Sequence, residues 1–472
     1  MELPKLRKVN LNRPVKKKIL LLSDDMMAFS GIATMSKELI RSTCHHYDWV
    51  QLGAALQHPQ HGQAFDFSND FNQECGIDHA YVKMYAHTGY GNPEVLVELM
   101  RIEKPDAIMI FTDPRFWGWL FAMEHDIRSN WKIPILYWNI WDAPPSPEYN
   151  LSFYTSCDLI LNISQQTKAL VDNVLKLAQP TDVTRSVYLP HGINSKLFKP
   201  VLDDPDYLKL ETEFRKRHNA DFVVFWNNRN VRRKQPGDVV LAFKVLRELV
   251  LQKYGKSAAD KCCLLMKTAV VDGNGTDLIA TKEALANECN IVFNQEGLSA
   301  QVLNYFYNLA DVTLNIASNE GFGLSNAESI MAGTMVVANV TGGLQDLMNF
   351  RNAGLPMKLG GDFVSNHTGQ FGGYTGDWAV PVFPSNISLQ GSPQTPYIFD
   401  DRCSFSDAGL ALFKVYEMSR ETRKANGLKG REWMCSDETM FDADNMGKAA
   451  IGYIDETITN FKPKSKYQLI KV

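Results

Sequence analysis

Short apolar runs alternate along the chain with stretches whose apolar positions recur every three or four residues. The first run, 18–23, has strand length, and positions 32, 35, 39 and 40 after it share one helical face. Further strands are expected at 49–52, 107–112, 135–138, 159–164 and 187–190, with a helix at 93–103 that Asn92 caps and Pro93 opens. The alternation pauses over 198–207, where Lys199-Pro200 and Asp203-Asp204-Pro205-Asp206 are turn chemistry. It then resumes with strands at 222–226, 262–266, 290–293, 312–316 and 335–339 and helices at 238–251, 278–286, 300–308 and 326–331. Strand–helix alternation of this kind builds parallel sheets from βαβ units. Two such series joined by a Pro-containing hinge predict an α/β protein of two Rossmann-like domains, 1–197 and 198–440. Ligands are then expected at the C-terminal ends of the strands, in the crevice between domains. The Gly-, Pro-, Asn- and Ser-rich stretch 354–392 breaks the rhythm and is expected to be an irregular surface insertion. Helical patterns return at 407–418 and 447–458.

Composition narrows the class. At 45% hydrophobic and 22% charged residues, the 472-residue chain is ordinary for a globular protein and long enough to bury large cores. No apolar run approaches the roughly 20 residues of a membrane helix, so no membrane insertion is expected. The N-terminus is basic but lacks the apolar core of a signal peptide. The eight cysteines are scattered without a C-x-x-C pair, which suggests neither zinc nor a disulfide framework and makes a reducing cytoplasm the expected setting. Net charge is −4, yet residues 1–18 carry +6 and residues 461–472 carry +4, leaving −14 on the remainder. Such tails are either solvated or a polyanion-binding edge.

The most informative stretch is Asn315-Ile-Ala-Ser-Asn-Glu320-Gly-Phe-Gly-Leu-Ser-Asn-Ala-Glu328, followed by a strand at 335–339. A strand leads into a loop whose Gly321 and Gly323 let a backbone approach a ligand closely, with Phe322 between them. A helix begins near Leu324, and free N–H groups at its start would face a phosphate. Carboxylates at Glu320 and Glu328 could accept hydrogen bonds from sugar hydroxyls. Physics alone does not separate this from any anion-binding strand–loop–helix. A second basic segment, Trp226-Asn-Asn-Arg229-Asn-Val-Arg-Arg-Lys234, follows the first strand of the second series. Aromatic residues crowd a third region, with five of nine tryptophans between Trp117 and Trp141 around Pro134-Ile-Leu-Tyr-Trp138-Asn139-Ile-Trp141-Asp142. That density suits either core packing or a platform on which sugars or bases stack.

The Glu320–Glu328 stretch resembles the E-x7-E signature of glycosyltransferase family 4. The 226–234 segment is similar to that family's N-R-N-x-x-R-K element. Ser30-Gly31-Ile32, His191-Gly192-Ile193-Asn194 and Thr341-Gly342-Gly343-Leu344-Gln345-Asp346 resemble its lesser motifs. The resemblance implies a GT-B fold, whose last helix crosses back from 441–472 to the first domain, and a retaining transferase using a nucleotide-sugar donor, with a UDP-sugar favoured. It assigns Glu320 to the donor sugar and Glu328 to the ribose. Arg229 and Lys234 go to the diphosphate, where cationic groups stabilise the departing charge. Gly31, Gly321, Phe322, Gly323 and Leu324 complete the donor site. Many members place a His after the strand at 135–138, and this chain has none there. Asp142 is therefore the candidate base or orienting group, with Trp117, Trp138, Asn139 and Trp141 as acceptor contacts.

No cofactor is implied, because the nucleotide-sugar is a substrate. Nor is a metal: the D-x-D pairs Asp204/Asp206 and Asp442/Asp444 fall away from the expected donor site. The chain resembles phage-encoded members more than lipid-directed ones. With its basic termini, this makes a hydroxylated pyrimidine in DNA one candidate acceptor, beside a glycan or small molecule. A GT-B nucleotide-sugar epimerase and a catalytically silent sugar-binding module are the alternative functions.

Overall fold

A computed structural model describes residues 14–179, 184–352, 355–356 and 374–464. The basic segments 1–13 and 465–472, and residues 357–373 of the expected insertion, lie outside the described residues. The first half holds β1 (Lys17–Asp24), β2 (Tyr47–Leu56), β3 (Ala64–Asp66), β4 (Val82–Thr88), β5 (Ala107–Phe111), β6 (Ile135–Asn139), β7 (Leu159–Asn162) and β8 (Arg185–Tyr188). They form one sheet in the order β3-β4-β2-β1-β5-β6-β7-β8, parallel except for β3. The second half holds β9 (Phe222–Asn227), β10 (Cys262–Lys267), β11 (Ile291–Asn294), β12 (Val312–Asn315) and β13 (Val336–Asn339). After a short antiparallel pair, β14 (Arg351–Asn352) and β15 (Leu355–Pro356), come β16 (Ala379–Val382) and a hairpin, β17 (Asn386–Ser392) with β18 (Thr395–Arg402).

The second sheet runs β11-β10-β9-β12-β13-β16, the doubly wound order in which the chain reverses direction beside its first strand. Its central strands are apolar on both faces because helices cover both. Val223, Val224, Phe225 and Trp226 are fully buried, as are Ile19 to Leu22 in β1. Each sheet therefore has a switch point, between β1 and β5 and between β9 and β12. Loops leaving the C-terminal ends of β1, β6 and β7 meet those leaving β12 and β13. A methyl on Gly31 would lie 2.9 Å from Leu324 Cδ1, and one on Gly321 2.7 Å from Ile163 Cδ1.

The structure corrects several expected elements. The apparent turn at 203–206 starts a helix, Pro205–His218, because Asp204 accepts hydrogen bonds from the Asp206 and Tyr207 amides and Pro205 sits in the first turn. The described end of the stretch expected to be irregular contains the edge strand β16 and β17, the first strand of the β17–β18 hairpin. Helix Arg420–Cys435 is not among the expected elements. It docks through Gly427, where a Cβ would lie 2.0 Å from the Gly333 carbonyl oxygen.

The last helix, Ala443–Asn460, crosses back to the first half. Asp444 pairs with Arg41 at 3.0 Å, Asp455 accepts from the Tyr47 hydroxyl at 2.7 Å, and Glu456 pairs with Arg185 at 2.7 Å. Lys464 then pairs with Glu124 at 2.6 Å. These contacts, like Lys16–Lys18 at the start of β1, lie toward the N-terminal edge of the first sheet. The described roots of both basic tails thus stand on the side away from the interdomain crevice. The tails themselves, read as either solvated or a polyanion-binding edge, lie outside the described residues. Among the described residues, no helix is long and apolar enough to cross a membrane.

Candidate functional site

Two loops of the second half build the charged centre. After β9, a short turn at Arg232–Lys234 brings two cations inward. After β12, the loop to helix Leu324–Met331 carries Glu320 beneath them. The loops are stitched together: the Ser318 amide donates to the Arg233 carbonyl at 2.8 Å, and the Arg233 guanidinium donates to the Asn319 carbonyl at 2.8 Å. Gly342 and Gly343 let the next helix seat against the Glu320 loop. The Gly343 amide donates to the Glu320 carbonyl at 3.0 Å, while a Cβ on Gly342, whose φ is +51°, would overlap that oxygen at 1.9 Å. Gly323, at φ +98°, makes the left-handed turn that opens the helix.

Glu320 is buried and accepts hydrogen bonds from Lys234 Nζ and, at 3.1 Å, from Asn315 Nδ2. Arg233 lies 3.6 Å from Glu320 and 3.5 Å from Asp142, which reaches in from the first half. Burial alone would raise the Glu320 pKa, but the Lys234 and Arg233 charges outweigh it and hold it below the ordinary glutamate value. Burial, reinforced by Arg233, pushes Lys234 down to about 8 against the pull of Glu320. The centre thus balances two cations against two carboxylates across the domain seam.

Glu328 has a different environment. It is buried on helix Leu324–Met331 and accepts one hydrogen bond, 2.7 Å from the Tyr307 hydroxyl, which itself accepts from Asn227 Nδ2 at 2.8 Å. Burial raises its pKa to about 7, with Tyr307 opposing. Several polar atoms on this side of the sheet are buried without a protein partner: Ser325 Oγ and both polar atoms of the Asn326 side chain in the first helical turn, and Asn228 Nδ2, Thr268 Oγ1 and Asn294 Oδ1 just beyond β9, β10 and at the end of β11. Each such atom costs about 1–3 kcal/mol unless something hydrogen-bonds it. Their position at the strand C-terminal ends is that of a bound polar ligand.

The structure thus brings together Gly31, Asp142, Lys234, Glu320, Gly321, Phe322, Gly323 and Leu324, with Glu328 one turn further on. Phe322 is buried in an aromatic cage with His191, Phe111 and Trp138. Burial takes His191 down to about 3, so it is a neutral packing residue. Other candidates are not brought in. Arg229 is largely exposed and pairs with Asp272 at 3.1 Å, and Arg233 stands in the position expected of it. Trp117 and Trp138 are fully buried and Trp141 nearly so; the Trp138 indole donates to the Leu189 carbonyl and that of Trp141 to the Ala143 carbonyl. They pack the core and offer no stacking face. Asn139 is buried and spends its oxygen on the Trp141 amide. The exposed aromatics of this edge are Phe29 and Phe116, the latter stacked on Tyr90 with centroids 4.3 Å apart. The D-x-D residues Asp204 and Asp442 are helix caps.

Sequence reasoning placed Arg229 first, with Arg232 or Arg233 only as substitutes, and missed Tyr307 and Asn227 behind Glu328 and the β17–β18 hairpin. That hairpin spans the seam: Arg115 donates to Thr395 Oγ1 at 2.8 Å, the Tyr149 hydroxyl to the Tyr397 carbonyl at 3.0 Å, and the Phe399 amide to the Pro144 carbonyl at 2.7 Å.

No protein-family model matches the chain, and no curated protein matches it in sequence. Solved structures match it throughout. HepE of Anabaena, in complex with UDP and glucose, aligns with TM-score 0.61 and 12% identity over 93% of this chain and 100% of its own. The E. coli trehalose-6-phosphate protein bound with UDP-2-fluoro glucose gives 0.63 and 12% over 95% and 100%. Sucrose-phosphate synthase of Thermosynechococcus elongatus gives 0.59 and 14% over 94% and 100%. The chain therefore has the GT-B fold, two Rossmann-like halves facing across a crevice, with a final helix that returns to the first half.

Proposed function

We propose that the protein is a retaining, metal-independent glycosyltransferase that moves a sugar from a UDP-sugar to an acceptor hydroxyl. The observation that carries this reading is the pairing of Lys234 and Arg233 with Glu320 across from Asp142, at the switch point of a doubly wound sheet. Residues 198–440 hold the donor, 1–197 present the acceptor, and 441–472 return to the first domain. The N-terminus of helix Leu324–Met331 and the two cations take the diphosphate, and Glu328 takes the ribose hydroxyls. Glu320 positions the donor sugar. The bond from the anomeric carbon to the diphosphate oxygen breaks while the acceptor oxygen attacks the same face, and the acceptor proton passes to a donor phosphate oxygen. Asp142 orients the acceptor. UDP as the nucleotide is supported by the UDP complexes of HepE and the E. coli protein.

A glycan or small-molecule acceptor fits better than DNA. The first-domain loops at the crevice carry Asp24 and Asp142, Asp25 is buried against His58, and Arg115 there is already paired with Asp113. Carboxylates accept from sugar hydroxyls but repel a phosphate backbone. A cytoplasmic setting accords with the use of a nucleotide-sugar. The test is incubation with UDP-glucose, UDP-galactose and UDP-N-acetylglucosamine, each with a saccharide panel and with hydroxymethylcytosine DNA, read by mass spectrometry. Transfer to a saccharide, lost in Glu320→Ala, supports the reading. An isomerised or free sugar from donor alone, with no transfer, means an epimerase or hydrolase. Turnover on DNA alone would restore the nucleic-acid acceptor.

A further inference from the structure

A second cavity opens at the same seam, beyond helix Gly342–Leu347 from the charged centre. Its volume is about 220 Å³, smaller than the roughly 300 Å³ at which pockets for drug-sized ligands begin and suited to one sugar ring. Both halves line it. The first contributes Tyr188, at the end of β8, and Gln165, the first residue of helix Gln165–Leu175; the second contributes the remainder.

The chemistry of the wall is that of carbohydrate recognition. Half-buried Tyr188 provides aromatic surface, while Trp433 is held between Trp378 and buried Phe441, centroids 5.0 and 5.1 Å away, and adds its edge. Sugar C–H faces stack on such rings. Gln345 is buried on helix Gly342–Leu347, and its Oε1 has no hydrogen-bond partner. Asp346 follows it, accepting the Gln165 amide at 2.8 Å with the Tyr188 hydroxyl beside it. Burial raises its pKa to about 7, so near neutrality it is only partly ionised and can donate as well as accept. Glu438 and Arg351 stand at the rim with no ion-pair partner among the described residues. One cation against three acceptor groups favours a ligand rich in hydroxyl donors over an anion.

The cavity is joined to the charged centre by short covalent and hydrogen-bonded steps. At the far end of the helix bearing Gln345 and Asp346, the Gly343 amide holds the Glu320 carbonyl and the Gly342 amide donates to Gln166 Oε1 of the first half at 3.0 Å. The two helices thus cap one another across the seam: Gln166 serves the start of Gly342–Leu347, and Asp346 serves the start of Gln165–Leu175. A ligand touching Asp346 and Tyr188 contacts both halves at once and so favours the arrangement in which these caps are closed.

From this cavity we infer an effector site for a neutral monosaccharide-sized polyol, distinct from the donor site and acting on the domain seam. Binding is independent of the transferase reading; only its effect on turnover rests on that reading. The test titrates glucose, galactose, mannose and myo-inositol into the full chain by calorimetry, with and without saturating UDP. Two variants accompany the native chain: Met440→Trp, which fills the cavity from its wall, and Glu438→Ala, which removes a rim acceptor. The expected result is saturable binding of at least one probe that persists with UDP present, is abolished in Met440→Trp and is weakened several-fold in Glu438→Ala, while UDP affinity stays at the native value in both. Native-like UDP affinity also reports that the variants fold. No saturable binding up to tens of millimolar, or binding displaced by UDP, or binding untouched by both variants, overturns the proposal. If binding holds but does not change transfer rates, the regulatory part falls and the site stands. If binding holds and no transfer activity exists, it is the transferase reading that fails.

Discussion

Glu328 offers a sharp test, because its charge state near neutrality is set by burial with a single hydrogen-bond donor against it. With a pKa of about 7, the carboxylate is mostly protonated near pH 6 and mostly ionised near pH 7.5. Ribose hydroxyls donate to the ionised form, so donor binding releases the Glu328 proton and tightens as pH rises through 7. If only the ionised form binds well, affinity for UDP-glucose should fall nearly tenfold from pH 7.5 to pH 6. UDP-glucose is the right probe because its diphosphate has no proton titrating in this window. Above the Lys234 pKa of about 8 the trend reverses, as a phosphate-facing cation is lost. Glu328→Gln keeps the volume and can still accept from Tyr307, but removes the charge. It should lose about 1.5–3 kcal/mol of a charge-assisted bond at pH 7.5, roughly 10- to 150-fold in Kd. It should also lose the acid limb while keeping the alkaline one. Calorimetric titrations over pH 6–9 measure both limbs. A native affinity that is flat below pH 8, or a Glu328→Gln variant that keeps the acid limb, would refute the assignment of the ribose to Glu328.

Glu320→Ala should lower transfer by about 10²–10³-fold, while UDP affinity changes far less; equal losses in both would make Glu320 a folding residue. Arg233→Ala should weaken UDP-sugar binding at least tenfold and Arg229→Ala should stay near native, a ranking that isothermal titration checks and that the reverse order would overturn. Asp142→Asn should depress transfer with nucleotide affinity nearly intact, as steady-state kinetics alongside UDP titration would show. Transfer should survive EDTA, since Arg233 and Lys234 supply the charge a metal would; loss on chelation restored by manganese would contradict this.

The charged loop of the second half was legible as a fold unit because its information is local. The spacing from Glu320 to Glu328 and the glycines between them are fixed by one strand–loop–helix, and that unit folds as its sequence indicates. The choice among Arg229, Arg232 and Arg233 was not, since it depends on how a three-residue turn aims its side chains. Arg229 ends on Asp272 and Arg232 on Asp400, leaving Arg233 facing Glu320. The tryptophans misled for a related reason. Their density signals buried area, but which face of β6 is covered is decided by segments far away in sequence, such as Leu189, which accepts the Trp138 indole. In 57–91, β4 alternates cleanly, with Val82, Met84 and Ala86 buried. The His- and Gln-rich run before it obscured that period. β16 escaped notice as a four-residue strand beside a Gly-rich stretch, recognisable only once β13 offers it an edge.

The β17–β18 hairpin gives the crevice an asymmetric rim. Covalent crossings between the halves lie near residues 193–204 and 436–443, and the hairpin adds three hydrogen bonds at the loops after β5 and β6. Each is worth about 0.5–1.5 kcal/mol net, enough together to bias the halves toward contact yet weak enough for any one to break and re-form. The hairpin fastens the border beside β5 and β6, and the side where β1, β2 and β4 end, near exposed Phe29, carries no such hairpin. On the proposed function, that side is the open approach to the crevice, and Phe29 and Phe116 are the exposed aromatic rings an entering acceptor would meet there.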